Sequence, residues 1–264
     1  MNIDRKVITD ESTGIPCCSI CGKELEKSFT LFGQTMKVAC MCNCQKAEAE
    51  ALDLEMKRKE FEIEISHNRS VGLTNSANRF SNFSNDKGLN PKMHLARKFV
   101  EHWEENYKNN LGLLLWGRPG TGKSFFAGCI ANALLDRCIK VMMTDFPYLI
   151  NEMNKLTFDG ANEYLTGINA NSLLIIDDLG TQNDSKYNLD KMYQIINSRY
   201  VSGKPLIITT NLSLEEIANA KDDDHKRIYD RILQMCKPIE LNDYDFRGQA
   251  IKDSMEEFKA INLK

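Results

Sequence analysis

The stretch LLLWGRPGTGKSFFAGCIANALL, residues 113–135, limits what this chain can fold into more than any other. An apolar run that reads as a buried strand stops at a glycine-rich turn, and small and apolar residues with helical spacing begin at Lys123 and Ser124. Gly117, Gly122, Lys123 and Ser124 fit G-x-x-x-x-G-K-[ST], in the strand–turn–helix context that this pattern requires. Glycines let the backbone curl its N–H groups around phosphate oxygens, and the start of the helix adds positive partial charge. The expected cradle comprises Gly117, Pro119, Gly120, Thr121, Gly122, Lys123, Ser124 and Phe125. Lys123 would reach the β- and γ-phosphates of a nucleotide, and the Ser124 hydroxyl would ligate Mg2+.

A turn of this kind needs a sheet to carry it, and the chain supplies one. Apolar runs at 111–116, 141–144, 173–176, 206–210 and 239–241 alternate with helical patterns. One of these helices covers 123–136, another carries Pro147 in its first turn, and a third carries the stripe Leu189, Met192, Tyr193, Ile196 and Tyr200. The expectation is an α/β fold with a parallel five-stranded sheet flanked by helices. Several strand ends carry polar groups. In SLLIIDDLG, Asp177 is placed to hold Mg2+ and Asp178 to polarise an attacking water. In PLIITTNL, Asn211 can orient the same water from the other side. KRIYDRIL places Arg227 and Arg231 four apart on one helix face, either to complete a neighbouring subunit's site or to form surface ion pairs.

Six of the nine cysteines crowd into residues 17–44, while Cys129, Cys138 and Cys236 sit in apolar surroundings. A Cys18-x-x-Cys21 knuckle followed by a second tight cluster points to Zn2+, which takes four ligands in a tetrahedron. In an extended segment alternate residues share a face, so Cys40, Cys42 and Cys44 can each complete the set. Cys42 and Cys44 are the preferred pair, Cys40 the substitute and Cys17 a bystander; a redox CxxC and unliganded buried thiols are the alternatives. The charged segment 45–65 reads as an exposed connecting helix, and the Asn-, Ser- and Gly-rich segment 67–91 as a linker or irregular segment. The expected domains are thus 1–66, a small zinc-binding N-terminal domain, and 67–264, the sheet domain.

A net charge of −3 excludes a globally basic nucleic-acid binder, so any DNA contact must be local. No apolar run approaches the roughly 20 residues of a membrane span, and the first residues show no signal-peptide core. The expectation is a cytoplasmic protein with no membrane partner.

The phosphate-loop, Asp-Asp, Asn and Arg motifs, in this order and spacing, resemble the AAA+ ATPases of the DnaC/DnaI helicase-loader family, which includes the related IstB transposition ATPases. The segment 183–217 is similar to the loader sequence between the acidic strand end and the asparagine, and RIYDRI resembles the arginine-finger box, with the finger at Arg231. NRFSNFSND resembles the loader segment near the adenine, where Phe83 would line the pocket or join the core, and Arg247 in DYDFRG matches the loaders' sensor 2 position. The cysteine cluster ahead of the ATPase resembles the loaders of Gram-positive bacteria and their phages.

The resemblance implies ATP as the nucleotide, an ATPase activity, assembly into an open homo-oligomeric ring or spiral, and single-stranded DNA binding. It also implies delivery of a hexameric replicative helicase during DNA replication, with the N-terminal segment contacting the helicase. The alternatives are a transposition helper and an ATP-binding adaptor with little hydrolysis. Two departures from the family's pattern stand out. Asp178 occupies a position where many relatives carry Glu, which implies slow or regulated hydrolysis. Only 23 residues follow Leu241, too few for a full C-terminal helical lid.

Overall fold

The computed structural model describes residues 7–180, 185–220 and 222–262. Asn183 and Asp184, the first two residues of the loader-like stretch, lie outside them. The chain forms two compact units, Met1–Ile63 and Glu64–Lys264.

The first unit contains two antiparallel ribbons: β1 (Val7–Thr9) with β2 (Pro16–Cys18), and β3 (Glu26–Leu31) with β4 (Gln34–Ala39). Phe32 and Gly33 close the second ribbon, both at positive φ (50° and 77°), as a two-residue hairpin turn matched to strand twist requires. Helix α1 (Asn43–Gly72) follows. Segment 40–44 is therefore not extended, as the sequence suggested, because α1 begins inside it. Cys42 caps the helix: its N–H donates to Gln45 Oε1 at 3.0 Å, and the Gln45 N–H donates back to its sulfur at 3.4 Å.

In the second unit α2 (Met93–Glu101) and α3 (Trp103–Lys108) lead into β5 (Gly112–Trp116) and α4 (Lys123–Leu135). Then follow β6 (Val141–Asp145), α5 (Phe146–Asn154), α6 (Phe158–Ala170), β7 (Leu173–Leu179), α7 (Lys186–Ser202), β8 (Leu206–Thr210), α8 (Leu214–Ala218), α9 (Asp223–Met235), β9 (Cys236–Glu240) and α10 (Phe246–Asn262). The five strands β5–β9 form one parallel sheet in the order β6-β7-β8-β5-β9. Leu113, Leu115, Ile175 and Ile207 join the core on one side with Phe99, Trp103 and Phe126. Leu114, Leu174, Ile176 and Ile208 join the core on the other side with Phe146, Met192 and Ile232. A parallel strand buried on both faces reads as an unbroken apolar run, which is why four of the five are visible in sequence.

The fifth strand lies three residues earlier than expected. β9 pairs with β5 alone and leaves Lys237 and Pro238 exposed, so its pattern is that of an edge. The segment expected as a linker or irregular stretch is irregular beyond residue 72 but packs against the sheet domain. Residues 67–72 continue α1, Leu73 bridges Met143 in parallel, and Asn78 and Ser81 are buried against α4. Asn132 of α4 makes this docking possible, because its side-chain amide donates to the Asn78 and Ser81 carbonyls, both at 2.8 Å. Gly128 admits the contact, since a Cβ there would fall 2.5 Å from Ser81 Cβ. Among the described residues no helix is long and apolar enough to cross a membrane.

Candidate nucleotide and metal sites

The turn between β5 and α4 requires its glycines. Gly117 has φ 146°, and a Cβ there would lie 2.4 Å from the Leu241 carbonyl oxygen. Gly122 caps α4 in the left-handed region at φ 87°. Lys123, 5% exposed, bends back so that its ammonium donates to the Gly117 and Arg118 carbonyls, both at 2.8 Å. Burial lowers its pKa, opposed by the charges of Asp178 and Asp177.

Asp177 receives the Ser124 hydroxyl at 2.9 Å and, on the same oxygen, the hydroxyl of Thr209. Burial raises its pKa, and those two hydrogen bonds oppose the rise. Ser124 and Asp177 form a hard oxygen donor pair suited to Mg2+. After Ile176 the pairing of β7 with β8 shifts register, and Asp178 sits at φ 57°, its N–H donating to Thr209 Oγ1 at 2.9 Å. Thr209 therefore positions both acidic residues. Sequence reasoning passed over it, although a threonine on a buried strand two residues before Asn211 was the available signal.

A cavity of about 610 Å3 opens beside the turn. Pro119, Gly120, Gly122, Lys123, Ser124, Phe125, Asp178 and Asn211 line it, together with Phe246 and Arg247. Asn85, Asp86, Lys87, Asn90 and Met93, from the chain ahead of α2 and its first residue, line it as well. Arg247 reaches the cavity because the chain after β9 clamps the turn: Asn242 Oδ1 accepts the Arg118 N–H at 2.7 Å, and the Phe246 N–H donates to the Gly120 carbonyl at 2.9 Å. A single helix, α10, starts at that clamp. Phe83 lies outside the lining and packs on the adjoining core, with the Arg97 guanidinium 4.5 Å above its ring. Arg231 and Arg227 also lie away from the cavity, stacked 4.2 Å over Tyr200 and Tyr193 of α7.

In the first unit the sulfurs of Cys18, Cys21, Cys42 and Cys44 all lie within 4.8 Å of one another. Tetrahedral thiolates about 2.3 Å from a zinc would be roughly 3.8 Å apart, so the set fits that ion. Cys40 and Cys17 turn instead toward the backbone carbonyls of Val38 and Ile15. The N–H groups of Cys21 and Ile20 hold the Cys18 thiol down at about 7. A hydrogen bond with Cys21 pushes Cys44 up to about 11.

Residues 75–254 match the family model of the IstB-like ATP binding protein. Over 141 residues the chain is 33% identical to the replicative helicase loader DnaC of Escherichia coli K12, covering 52% of this chain and 55% of that protein. It is 26% identical over 155 residues to the replicative helicase loader DnaI of Bacillus subtilis, covering 54% and 50%. The chain thus spans about half the length of these curated relatives. The crystal structure of DnaI superposes with a TM-score of 0.55 at 24% identity, over 66% of this chain and 98% of that one, a likeness of fold. A match over residues 75–254, with the glycine-rich turn inside them, decides the family: this chain belongs to the IstB-like ATP-binding proteins.

Proposed function

We propose that the protein is an ATP-dependent loader that delivers a hexameric replicative DNA helicase onto single-stranded DNA. The observation that carries this reading is one chain joining a cavity walled by Lys123, Ser124, Asp178 and Asn211 to a sequence similar to two proteins named replicative helicase loaders. In this reading ATP occupies the cavity with its phosphates at the glycine-rich turn. Lys123 leaves the carbonyls of Gly117 and Arg118 for the β- and γ-phosphates. Ser124 and Asp177 would hold Mg2+, which would supply neutralisation of phosphate charge. Asp178 and Asn211 hold the attacking water in line, and Arg247 contacts the γ-phosphate end. Arg231 of a second copy supplies the positive charge for the transition state, so hydrolysis needs a homo-oligomer. Zinc on Cys18, Cys21, Cys42 and Cys44 fixes the first unit, the part that meets the helicase.

The test is loading itself. Purified protein with ATP should bind a DnaB-type hexamer and raise its unwinding of a substrate whose single strand is accessible only through loading. Asp178→Asn should still bind ATP but hydrolyse it far more slowly. No association with the hexamer in any nucleotide state would overturn the loader reading. Parent-rate hydrolysis in Asp178→Asn would overturn the role of that carboxylate. A second reading, an ATP-binding adaptor with little turnover, draws on the short Asp178 side chain and would show as loading at an undiminished rate in the same variant.

A further inference from the structure

The glycine-rich turn would account for the phosphates, and the part of the lining contributed by residues 85–93 carries chemistry of its own. Asn90 lines that wall and is 7% exposed. Its Oδ1 accepts the Lys92 N–H at 2.9 Å, which fixes the acceptor end of the carboxamide. Its Nδ2 donates to none of the described residues. An amide donor on a cavity wall that spends no bond on the protein is open to a ligand in the cavity.

The wall is also braced. Pro91 restricts the backbone of Asn90, and the Asn90 carbonyl accepts the Met93 N–H at 3.1 Å. The Lys92 ammonium donates to the Glu240 carbonyl at 2.7 Å and pairs with Asp243 at 3.2 Å, next to the Asn242 that clamps the phosphate turn. Arg97 ties the Phe83 carbonyl to the same wall. Lys92 and the glycine-rich turn therefore share the support of residues 240–243.

We propose that Asn90 reads the nucleobase and selects adenine over guanine, a role that rests on the cavity being the nucleotide site. Nδ2 donates to a ring nitrogen of adenine while the second lone pair of Oδ1 accepts from the 6-amino group. Adenine offers this acceptor-and-donor pair along either edge that carries its amino group. Guanine has an oxygen at position 6, which meets Oδ1 as a second acceptor, and the bond to Lys92 prevents the amide from flipping to suit it. Met93, 4% exposed, adds an apolar contact beside the amide.

The experiment is competition binding of ATP, GTP and purine riboside triphosphate, which lacks the 6-amino group, with thermal melting to confirm folding. The parent chain should prefer ATP to each competitor by about tenfold or more, the scale of one bidentate base contact. Asn90→Asp keeps an acceptor for Lys92 and removes the donor, so its ATP-to-GTP ratio should fall by about tenfold. Asn90→Ala should bind ATP and the purine analogue equally. Unchanged selectivity in both variants, with Lys123→Ala still abolishing ATP binding, overturns the role of Asn90 alone. Failure of the parent to bind any triphosphate overturns the site reading and the role of Asn90 with it. If the Asn90 variants do not fold, the parent decides: equal binding of ATP and the purine analogue overturns the proposal, and discrimination against the analogue supports it.

Discussion

Leu114, Ile176 and Ile208 of the sheet unit are fully buried, whereas Phe29, Leu31, Met36 and Val38 of the cysteine unit are exposed. Pairing of Phe29 with Met36 and of Lys27 with Val38 puts those four side chains on one face of the hairpin, and Phe32 at its tip is 98% exposed. Among the described residues of the first unit Cys17, Cys18 and Cys42 are the most buried apolar side chains, while the second has an apolar core on each side of its sheet. The contrast separates two ways of opposing chain entropy. Burial of apolar area suffices for a unit of some 200 residues, but a unit of about 60 with its apolar side chains outside needs a cross-link, and four converging sulfurs can supply one through a metal.

The largest expected effect therefore belongs to metal removal. Structural zinc contributes about 10–16 kcal/mol to small domains that fold around it. Metal analysis should give about one zinc per chain, and Cys18→Ser or a strong chelator should remove it. Limited proteolysis should then cut within residues 1–63 while 64–264 persists and still binds ATP. A chain that loses zinc yet resists proteolysis throughout would erase the distinction between the units.

Next in size is a property of the sheet unit alone. Arg231 stacks on Tyr200 and hydrogen-bonds Gln234 at 3.2 Å, away from its own cavity. Arg231→Ala should bind ATP normally and lose about 10³-fold or more in turnover. Lys123→Ala chains keep Arg231, and Arg231→Ala chains keep the phosphate turn, so mixing these two inactive proteins should restore part of the rate. A mixture that co-assembles but stays inactive would show that Arg231 does not act in trans.

What the sequence disclosed follows the same division. Gly117, Gly122, Lys123 and Ser124 are legible because their spacing follows from local backbone geometry, and β5 to β8 because burial on both faces leaves an unbroken apolar run. The start of α1 is hidden because its cap is a cysteine thiol answered by Gln45, so the choice among Cys40, Cys42 and Cys44 stayed open in sequence. The segment from Asn78 to Met93 reads as a polar linker or irregular stretch, because its packing depends on partners far along the chain: Asn132 for Asn78 and Ser81, Glu240 and Asp243 for Lys92. β9 is concealed by its edge position, and in α10 Ile251, Met255 and Phe258 recur at helical spacing yet stay exposed.

Two aromatic substitutions test the contrast directly. Phe126 is fully buried between α4 and the sheet, so Phe126→Ala should destabilise the sheet unit by about 3–5 kcal/mol, through lost burial and the cavity left behind. Phe32 has the same side chain at a turn where almost nothing covers it, so the transfer contribution disappears and no cavity forms. Its φ of 50° also disfavours a bulky residue, so Phe32→Asn relieves the backbone while removing the ring. Phe32→Asn should therefore shift stability by no more than about 0.5 kcal/mol, the range for exposed positions. Denaturant unfolding followed by tryptophan fluorescence reports the sheet unit, which holds both tryptophans, Trp103 and Trp116. Chelator concentration at half-release of zinc reports the cysteine unit. Phe126→Ala should move the first midpoint and leave the second, and Phe32→Asn should move neither. A loss of zinc affinity in Phe32→Asn would mean that the ring is covered in solution and that the hairpin helps to hold the cysteine unit together.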